Sequence, residues 1–108
     1  MKQYTVNWAV TAQADLEDIA AYIAEESPIN AMIVVERIEA RAQTLATFPG
    51  RGRIMPELHW HGIANFLDLI ERPWRLIYRI DGSIVHVVSV IDGRRQFDDQ
   101  LLNRFLRQ

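Results

Sequence analysis

Two arginines late in the sequence are well suited to act on an anionic ligand. The segment from Trp74 to Ile80 alternates like a β-strand, which places Arg75 and Arg79 opposite its large apolar residues. We therefore expect both guanidinium groups to be exposed. A guanidinium binds phosphate or carboxylate through two parallel hydrogen bonds, so these groups could face a ligand or, equally well, acids of the same chain.

Charge is distributed unevenly along the chain. The formal net charge is −2, but residues 1–50 carry three basic and seven acidic side chains, whereas residues 72–108 carry seven arginines and four acids. After the last strand-like segment, Gly93 allows a turn that presents Arg94 and Arg95 at a sheet edge. Because the whole chain is acidic, it has no general attraction to nucleic acid.

Three histidines offer acid–base or metal chemistry. His86 could be an acid or base, although a lone histidine inside a strand is more typical of a hydrogen-bonded structural residue. His59 and His61 could bind a metal from one side of an extended segment, but two histidines without a third ligand form a weak site. We expect Trp60 to pack over the core edge, and we expect neither a metal nor another cofactor.

The remaining pattern predicts the elements that position these side chains. Tyr4 to Trp8 alternates as a short strand, and Thr11 can cap a helix whose apolar residues follow the helical period. Ser27-Pro28 begins a second helix, which Phe48-Pro49-Gly50 ends. Residues 50–64 form a loop, with space for one helical turn.

The second half of the chain is mostly strand-like. Strands are predicted over Phe66–Glu71, Trp74–Ile80 and Ile84–Ile91, with Asp81-Gly82 joining the last two, and a helix over Phe97–Arg107. The fold class is therefore α+β, with the order β-α-α-β-β-β-α. We expect a helical hairpin packed on a small, mainly antiparallel, four-stranded sheet.

Length and composition limit the class of protein. A chain of 108 residues is long enough for one core, so we expect a single domain over residues 1–108. There is no cysteine, which excludes disulfides and thiolate catalysis. The sequence contains neither a leader-like apolar segment nor a run long enough to span a membrane, so we expect a cytoplasmic location without membrane contact.

Several segments, in this order and spacing, resemble the RelE/ParE toxin superfamily over almost the whole chain. They are Ala14–Ile23, Pro49–Arg53 with Pro56–Leu58, Trp74–Ile80 and Val90–Arg95. The resemblance implies the toxin of a type II toxin–antitoxin system, with a RelE/ParE-like fold. It leaves the mechanism of growth inhibition open.

RelE-like members are ribosome-dependent mRNA endonucleases, which would make the ribosome and mRNA the partners. The resemblance would then give catalytic roles to Arg75, Arg79 and Arg95, with His86 as a further candidate. However, Leu101 stands where RelE members place a tyrosine, six residues after the arginine matched by Arg95, and their lysine-rich segment is not reproduced.

ParE-like members bind DNA gyrase instead and would have no catalytic residue. These two absences favour the ParE-like interpretation, in which the candidate target-binding residues are Arg94, Arg95, Phe97 and Arg104. A third interpretation is an inactive toxin that only binds a partner.

The resemblance also implies a cognate antitoxin, typically an amphipathic helix with an extended tail, laid against the hairpin and sheet. The candidate antitoxin-binding residues are Leu16, Ile23, Arg75 and Ile77. The acidic faces of the two helices suggest that this partner carries basic residues. We expect the chain to meet DNA only through the toxin–antitoxin complex.

Overall fold

A computed structural model describes residues 2–94 and 99–106. Helices α1 and α2 form a hairpin against one face of a five-stranded sheet, and shorter segments cover the other face. The elements in chain order are β1 (Thr5–Trp8), α1 (Val10–Ala24), α2 (Pro28–Gln43), β2 (Arg53–Ile54), α3 (Pro56–His59), β3 (Leu67–Glu71), β4 (Trp74–Asp81), β5 (Ile84–Asp92) and α4 (Asp99–Leu106). The predicted α+β class is confirmed.

The sheet has the strand order β1-β5-β4-β3-β2. Strand β1 pairs parallel to β5, and every other pair is antiparallel. The fifth strand, β2, was not predicted because its two residues are too few to show alternation. The loop between β4 and β5 is Gly82-Ser83, one residue later than predicted, and Gly82 adopts a φ of 59°.

The helical hairpin follows the predicted signals with two exceptions: α2 ends at Gln43 rather than at Phe48, and the start of α1 differs. Ser27 accepts a hydrogen bond from the backbone of Asn30 at 3.1 Å and caps α2, with Pro28 in its first position. Helix α1 begins earlier than predicted, with Ala9 at the N-cap. Thr11 is therefore inside the helix, where its hydroxyl donates to the carbonyl of Val88 at 2.6 Å and ties α1 to β5.

Each face of the sheet carries its own hydrophobic cluster. The first cluster lies beneath the α1–α2 hairpin and includes Ile38 and Tyr78. The second is built from the segment after β2, the opposite sheet face and α4, and includes Leu58, Ile77 and Phe105. Both faces of β4 are therefore buried, which contradicts the prediction that one face is exposed.

In the part of the chain that the structure describes, no helix combines the length and apolar character needed to cross a membrane.

Tyr78 attaches the turn before β2 to the sheet. Its buried hydroxyl donates to the carbonyl of Pro49 at 2.7 Å and accepts from the backbone of Gly52 at 3.0 Å. A Cβ atom on Gly52 would lie 2.5 Å from the carbonyl oxygen of Asp68 and 2.6 Å from the Tyr78 hydroxyl. The chain therefore needs a glycine here for space.

We expect Gly52→Ala to lower the free energy of unfolding by about 2 kcal/mol, because the backbone of the turn must move away from the sheet. Urea denaturation followed by circular dichroism measures this. Gly50→Ala is the matched control, since a Cβ there meets nothing within 4 Å, and it should change stability by less than about 0.5 kcal/mol. Equal effects of the two substitutions would contradict the close-contact explanation.

Candidate functional site

Arg75 is buried between two carboxylates. Its Nη1 and Nη2 atoms donate to the two oxygens of Glu57 at 2.6 and 2.8 Å. Its Nε and Nη2 atoms donate to Oδ2 of Asp68 at 2.9 and 2.6 Å. Only 8% of the Arg75 side chain is exposed, so the prediction that it lies on the surface is wrong.

The fold brings charges together here from four elements. Glu57 belongs to α3, Asp68 to β3 and Arg75 to β4, and Arg53 of β2 adds a second bond to Asp68 at 2.8 Å. The hydrogen bonds from Arg75 lower the pKa of Glu57, and the same bonds raise the pKa of Arg75. Two cations and two anions therefore form one neutral cluster, which we call the Arg75 cluster.

Arg79 and His86 lie elsewhere on β4 and β5, opposite each other in the strand register. Arg79 is four strand residues from Arg75, a separation of roughly 13 Å along β4. Its nearest carboxylate is Asp81 at 4.0 Å. His86 Nδ1 lies 3.1 Å from the Asn7 side-chain amide, which fits the structural interpretation of this histidine. The proposed endonuclease residues Arg75 and Arg79 are thus not adjacent.

Two of the three basic residues predicted to bind the target, Arg94 and Arg104, are also engaged within the chain. Arg94 binds Asp92 through Nε at 3.0 Å and Nη2 at 2.7 Å, and this pair lowers the pKa of Asp92 to about 2. Nη2 of Arg104 binds both oxygens of Asp15, at 2.8 and 2.9 Å. Arg94 and Arg104 line one cleft of about 560 Å³ beside α1. Arg95 and Phe97 lie outside the described residues.

Asp15 links three parts of the chain. Besides its bonds to Arg104, its Oδ2 atom accepts from the hydroxyl of Ser89 and from the backbone of Val90, both at 2.9 Å. Helix α1, strand β5 and helix α4 are therefore held by one carboxylate. This carboxylate was not identified from the sequence as a link between elements.

The predicted antitoxin-binding residues occupy different environments. Ile77 is fully buried in the second cluster, so its predicted place on the surface is wrong. Leu16 and Ile23 are half-buried against the first cluster and border surface depressions. Because Arg75 is also buried, the antitoxin-binding candidates that remain on the surface are Leu16 and Ile23, both on α1.

The hairpin carries an apolar groove, which Leu16 lines and Ile23 does not. Two depressions of about 410 and 610 Å³ share Ala20, Val35 and Glu39. We call these joined depressions the hairpin groove; Glu17 and Glu36 lie along it, and Met32, 65% exposed, is part of its wall. The alanines of α1 could have indicated this groove from the sequence, because small side chains leave space for another helix.

The segment around the two neighbouring histidines differs from the prediction. His59 ends α3 and His61 follows in a turn, so they do not share an extended segment. Among the described residues, no three histidine, cysteine, aspartate or glutamate side chains come together as metal ligands. Trp60 is 87% exposed, so the prediction that it packs over the core is wrong.

Comparison with other sequences gives consistent matches. Residues 6–97 match the family described as "ParE toxin of type II toxin-antitoxin system, parDE". The chain is 33% identical over 91 residues to Toxin RelE2 of Caulobacter vibrioides, which covers 83% of this chain and 96% of that protein. It is 30% identical over 88 residues to Toxin ParE3 of the same organism, and this match covers 81% of this chain and 84% of that protein.

Two solved structures resemble this fold. A chain of the chromosomal ParDE system from P. aeruginosa superposes with a TM-score of 0.71 at 22% identity, covering 85% of this chain and 98% of that one. A chain of the toxin–antitoxin complex RelBE2 from Mycobacterium tuberculosis gives a TM-score of 0.57 at 27% identity, covering 85% and 93%. The first likeness shows the fold alone.

The Arg75 cluster predicts a pH-dependent stability. Because folding lowers the pKa of Glu57, its stabilisation is complete above the unfolded value of about 4.3 and is lost as the pH falls through the lower folded pKa. We expect Glu57→Gln to lower the free energy of unfolding by about 2 kcal/mol at pH 7. The difference from the unsubstituted chain should shrink at pH 3, as measured by urea denaturation at both pH values.

Glu36→Gln is the matched control, since Glu36 is an exposed glutamate of α2 with no ion-pair partner among the described residues. It should have little effect at either pH. A destabilisation by Glu57→Gln that is equally large at pH 3 and pH 7 would mean that the side chain acts through its shape rather than its charge.

Proposed function

This chain belongs to the family of ParE toxins of type II toxin–antitoxin systems, and we propose that it arrests growth by binding DNA gyrase rather than by cleaving mRNA. The resemblance found in its sequence segments is confirmed by the family match and by the two Caulobacter relatives. One of these relatives is named RelE2 and the other ParE3, so their names do not decide between the two mechanisms. The choice between the two mechanisms therefore has to come from the residues themselves.

The internal pairing of the arginines is the observation that carries the proposal. Among the described residues, every arginine except Arg51 and Arg72 has a carboxylate oxygen within 4.0 Å. Cleavage of RNA by basic side chains requires several cations around one phosphate and a group that activates the ribose hydroxyl. Here Arg75, the first candidate, would have to leave two carboxylates to bind that phosphate.

Breaking the Arg75 cluster is energetically unfavourable. Removing one partner from a buried ion pair typically costs about 3–5 kcal/mol, because the other charge stays buried without compensation. An incoming phosphate would also meet the negative charges of Glu57 and Asp68, and Asp68 is 1% exposed. A protein target needs no such cluster of free cations, which supports the gyrase-binding alternative.

A cognate antitoxin is the second partner that we propose. The hairpin groove has the small, apolar floor that an amphipathic helix needs, and Glu17, Glu36 and Glu39 border it with negative charge. A helix with apolar anchors flanked by lysines or arginines would complement it. The family match is to a toxin of toxin–antitoxin systems, and the similar chain from Mycobacterium tuberculosis belongs to the toxin–antitoxin complex RelBE2, which supports such a pairing.

We expect the purified chain to inhibit supercoiling by DNA gyrase and to leave mRNA intact in a ribosome-programmed translation reaction. The two assays test alternative functions with one protein preparation. Cleavage of mRNA within codons, together with unaffected supercoiling, would replace the proposal with the RelE-like one. Failure in both assays, with no growth arrest on expression, would indicate the inactive interpretation.

Arg79→Ala separates these activities further, because Arg79 is partly exposed and not locked into the Arg75 cluster. We expect full gyrase inhibition from this variant. A ribosome-dependent nuclease that used this guanidinium would instead lose activity by about 100-fold or more, in line with the loss of one transition-state donor.

The antitoxin surface predicts a charge-reversal effect. The double substitution Glu36→Lys and Glu39→Lys should weaken neutralisation of growth arrest by the cognate antitoxin, because a basic partner helix would meet like charges. Toxicity without antitoxin should be unchanged. Glu25→Lys with Glu26→Lys makes the same charge change outside the hairpin groove and serves as the control. Equal loss of neutralisation in both doubles would argue against this groove.

A further inference from the structure

Trp60 is the most exposed large apolar side chain recorded in the described part of the chain. It is 87% exposed and lies between His59 and His61, whose side chains are also exposed. An indole buries more area than most side chains when it is covered, so leaving it in water forgoes a large hydrophobic gain. The residue also has no part in the hydrophobic clusters, the Arg75 cluster or the hairpin groove.

The segment that presents this indole is firmly attached. The backbone amides of residues 59–63 donate to carbonyls of residues 55–59 at 2.9–3.1 Å. Below them, Met55 and Leu58 are completely buried, and Glu57 is bound to Arg75 through both oxygens. The exposed indole therefore stands on a pre-ordered support, so fixing it in a complex would require little loss of backbone entropy.

We propose that Trp60 is the side chain through which this toxin anchors itself in an apolar pocket of its protein target. The inference rests on the proposed function, that the toxin binds a protein to arrest growth, and it names the contact. Tryptophan is enriched among the few interface residues that carry most of the binding energy. The exposed, rigidly supported indole has the form of such an anchor.

The charge of the segment that carries the indole indicates the character of the pocket. Arg53, 59% exposed, is bound to Asp68, whereas the exposed Arg51 has no carboxylate oxygen within 4.0 Å among the described residues. The only carboxylate of residues 50–66, Glu57, is already bound to Arg75. The partner surface should therefore carry carboxylates around an apolar pocket. A protein fits better than a nucleic acid, whose phosphates need several free cations.

The position of Trp60 also separates the target from the antitoxin. Helix α3 packs in the second cluster, whereas the hairpin groove belongs to helices that cover the first cluster. A substitution at Trp60 should therefore alter target binding without altering antitoxin binding. General unfolding would weaken both kinds of binding. Loss of target binding alone therefore distinguishes a specific contact at Trp60 from unfolding.

The test compares Trp60→Ala with Ile29→Ala, which removes an apolar side chain that is 73% exposed on α2 and lines neither the hairpin groove nor the cleft beside Arg94. Binding of each full-length protein to purified DNA gyrase is measured by calorimetry, with circular dichroism as the check on folding. We expect Trp60→Ala to weaken binding by about 30-fold or more, as for other interface anchors, and to lose growth arrest. Ile29→Ala should stay within about 2-fold of the unsubstituted toxin.

Unchanged gyrase affinity in a folded Trp60→Ala protein would overturn this inference and leave the proposed function intact. A Trp60-dependent affinity for a single-stranded RNA oligonucleotide, at a level matching that for gyrase, would overturn the assignment of a protein pocket. Failure of the unsubstituted toxin itself to bind gyrase would overturn the proposed function and this inference with it. Loss of binding in both the Trp60→Ala and Ile29→Ala variants would also count against a specific anchor at Trp60.

Discussion

The buried guanidinium of Arg75 holds the second face of the sheet together. Without its bonds to Glu57 and Asp68, the segment after β2 would be attached mainly by the hydrophobic contacts of Met55 and Leu58. The cluster brings charges from four elements into one neutral group, so each charge is compensated where water is excluded. The placement of α3, and with it the exposed Trp60, depends on this arrangement.

The same cluster shows why a count of basic residues is a poor guide to function. The C-terminal third is rich in arginine, yet the arginines described there are largely paired with acids of the same chain. Arginine forms strong bidentate pairs with carboxylates as readily as with phosphates, and the linear sequence does not distinguish the two partners. The fold resolves this choice by bringing Glu57, Asp92 and Asp15 to the arginines.

Periodicity predicted the long elements well. The two helices and the three long strands each contain enough residues to show an apolar stripe or an alternation, and they occur in the predicted order. Strand β2 is too short to do so. Thr11 has the right residue type for a cap, but its hydroxyl finds the carbonyl of Val88, a contact between residues distant in sequence.

The errors at the candidate site share one cause. Alternation correctly put Arg75 and Ile77 on the face away from the hairpin, but it could not reveal that an irregular segment and α4 cover that face. Trp60 was misplaced for the opposite reason, because an apolar side chain in a loop usually finds a surface to cover. Both outcomes depend on how residues 53–66 cross the sheet, which is a tertiary property.

The parallel pairing of β1 with β5 has a consequence for how this protein is made. Residues 5–8 must wait for residues 84–87 before they acquire a neighbour, and β5 also provides the partner for β4. A ribosome therefore synthesises most of the chain before β1 can join the sheet. Products of interrupted translation that stop before β5 lack the strand that joins β1 to β4, so a stalled ribosome releases a fragment that cannot complete this fold.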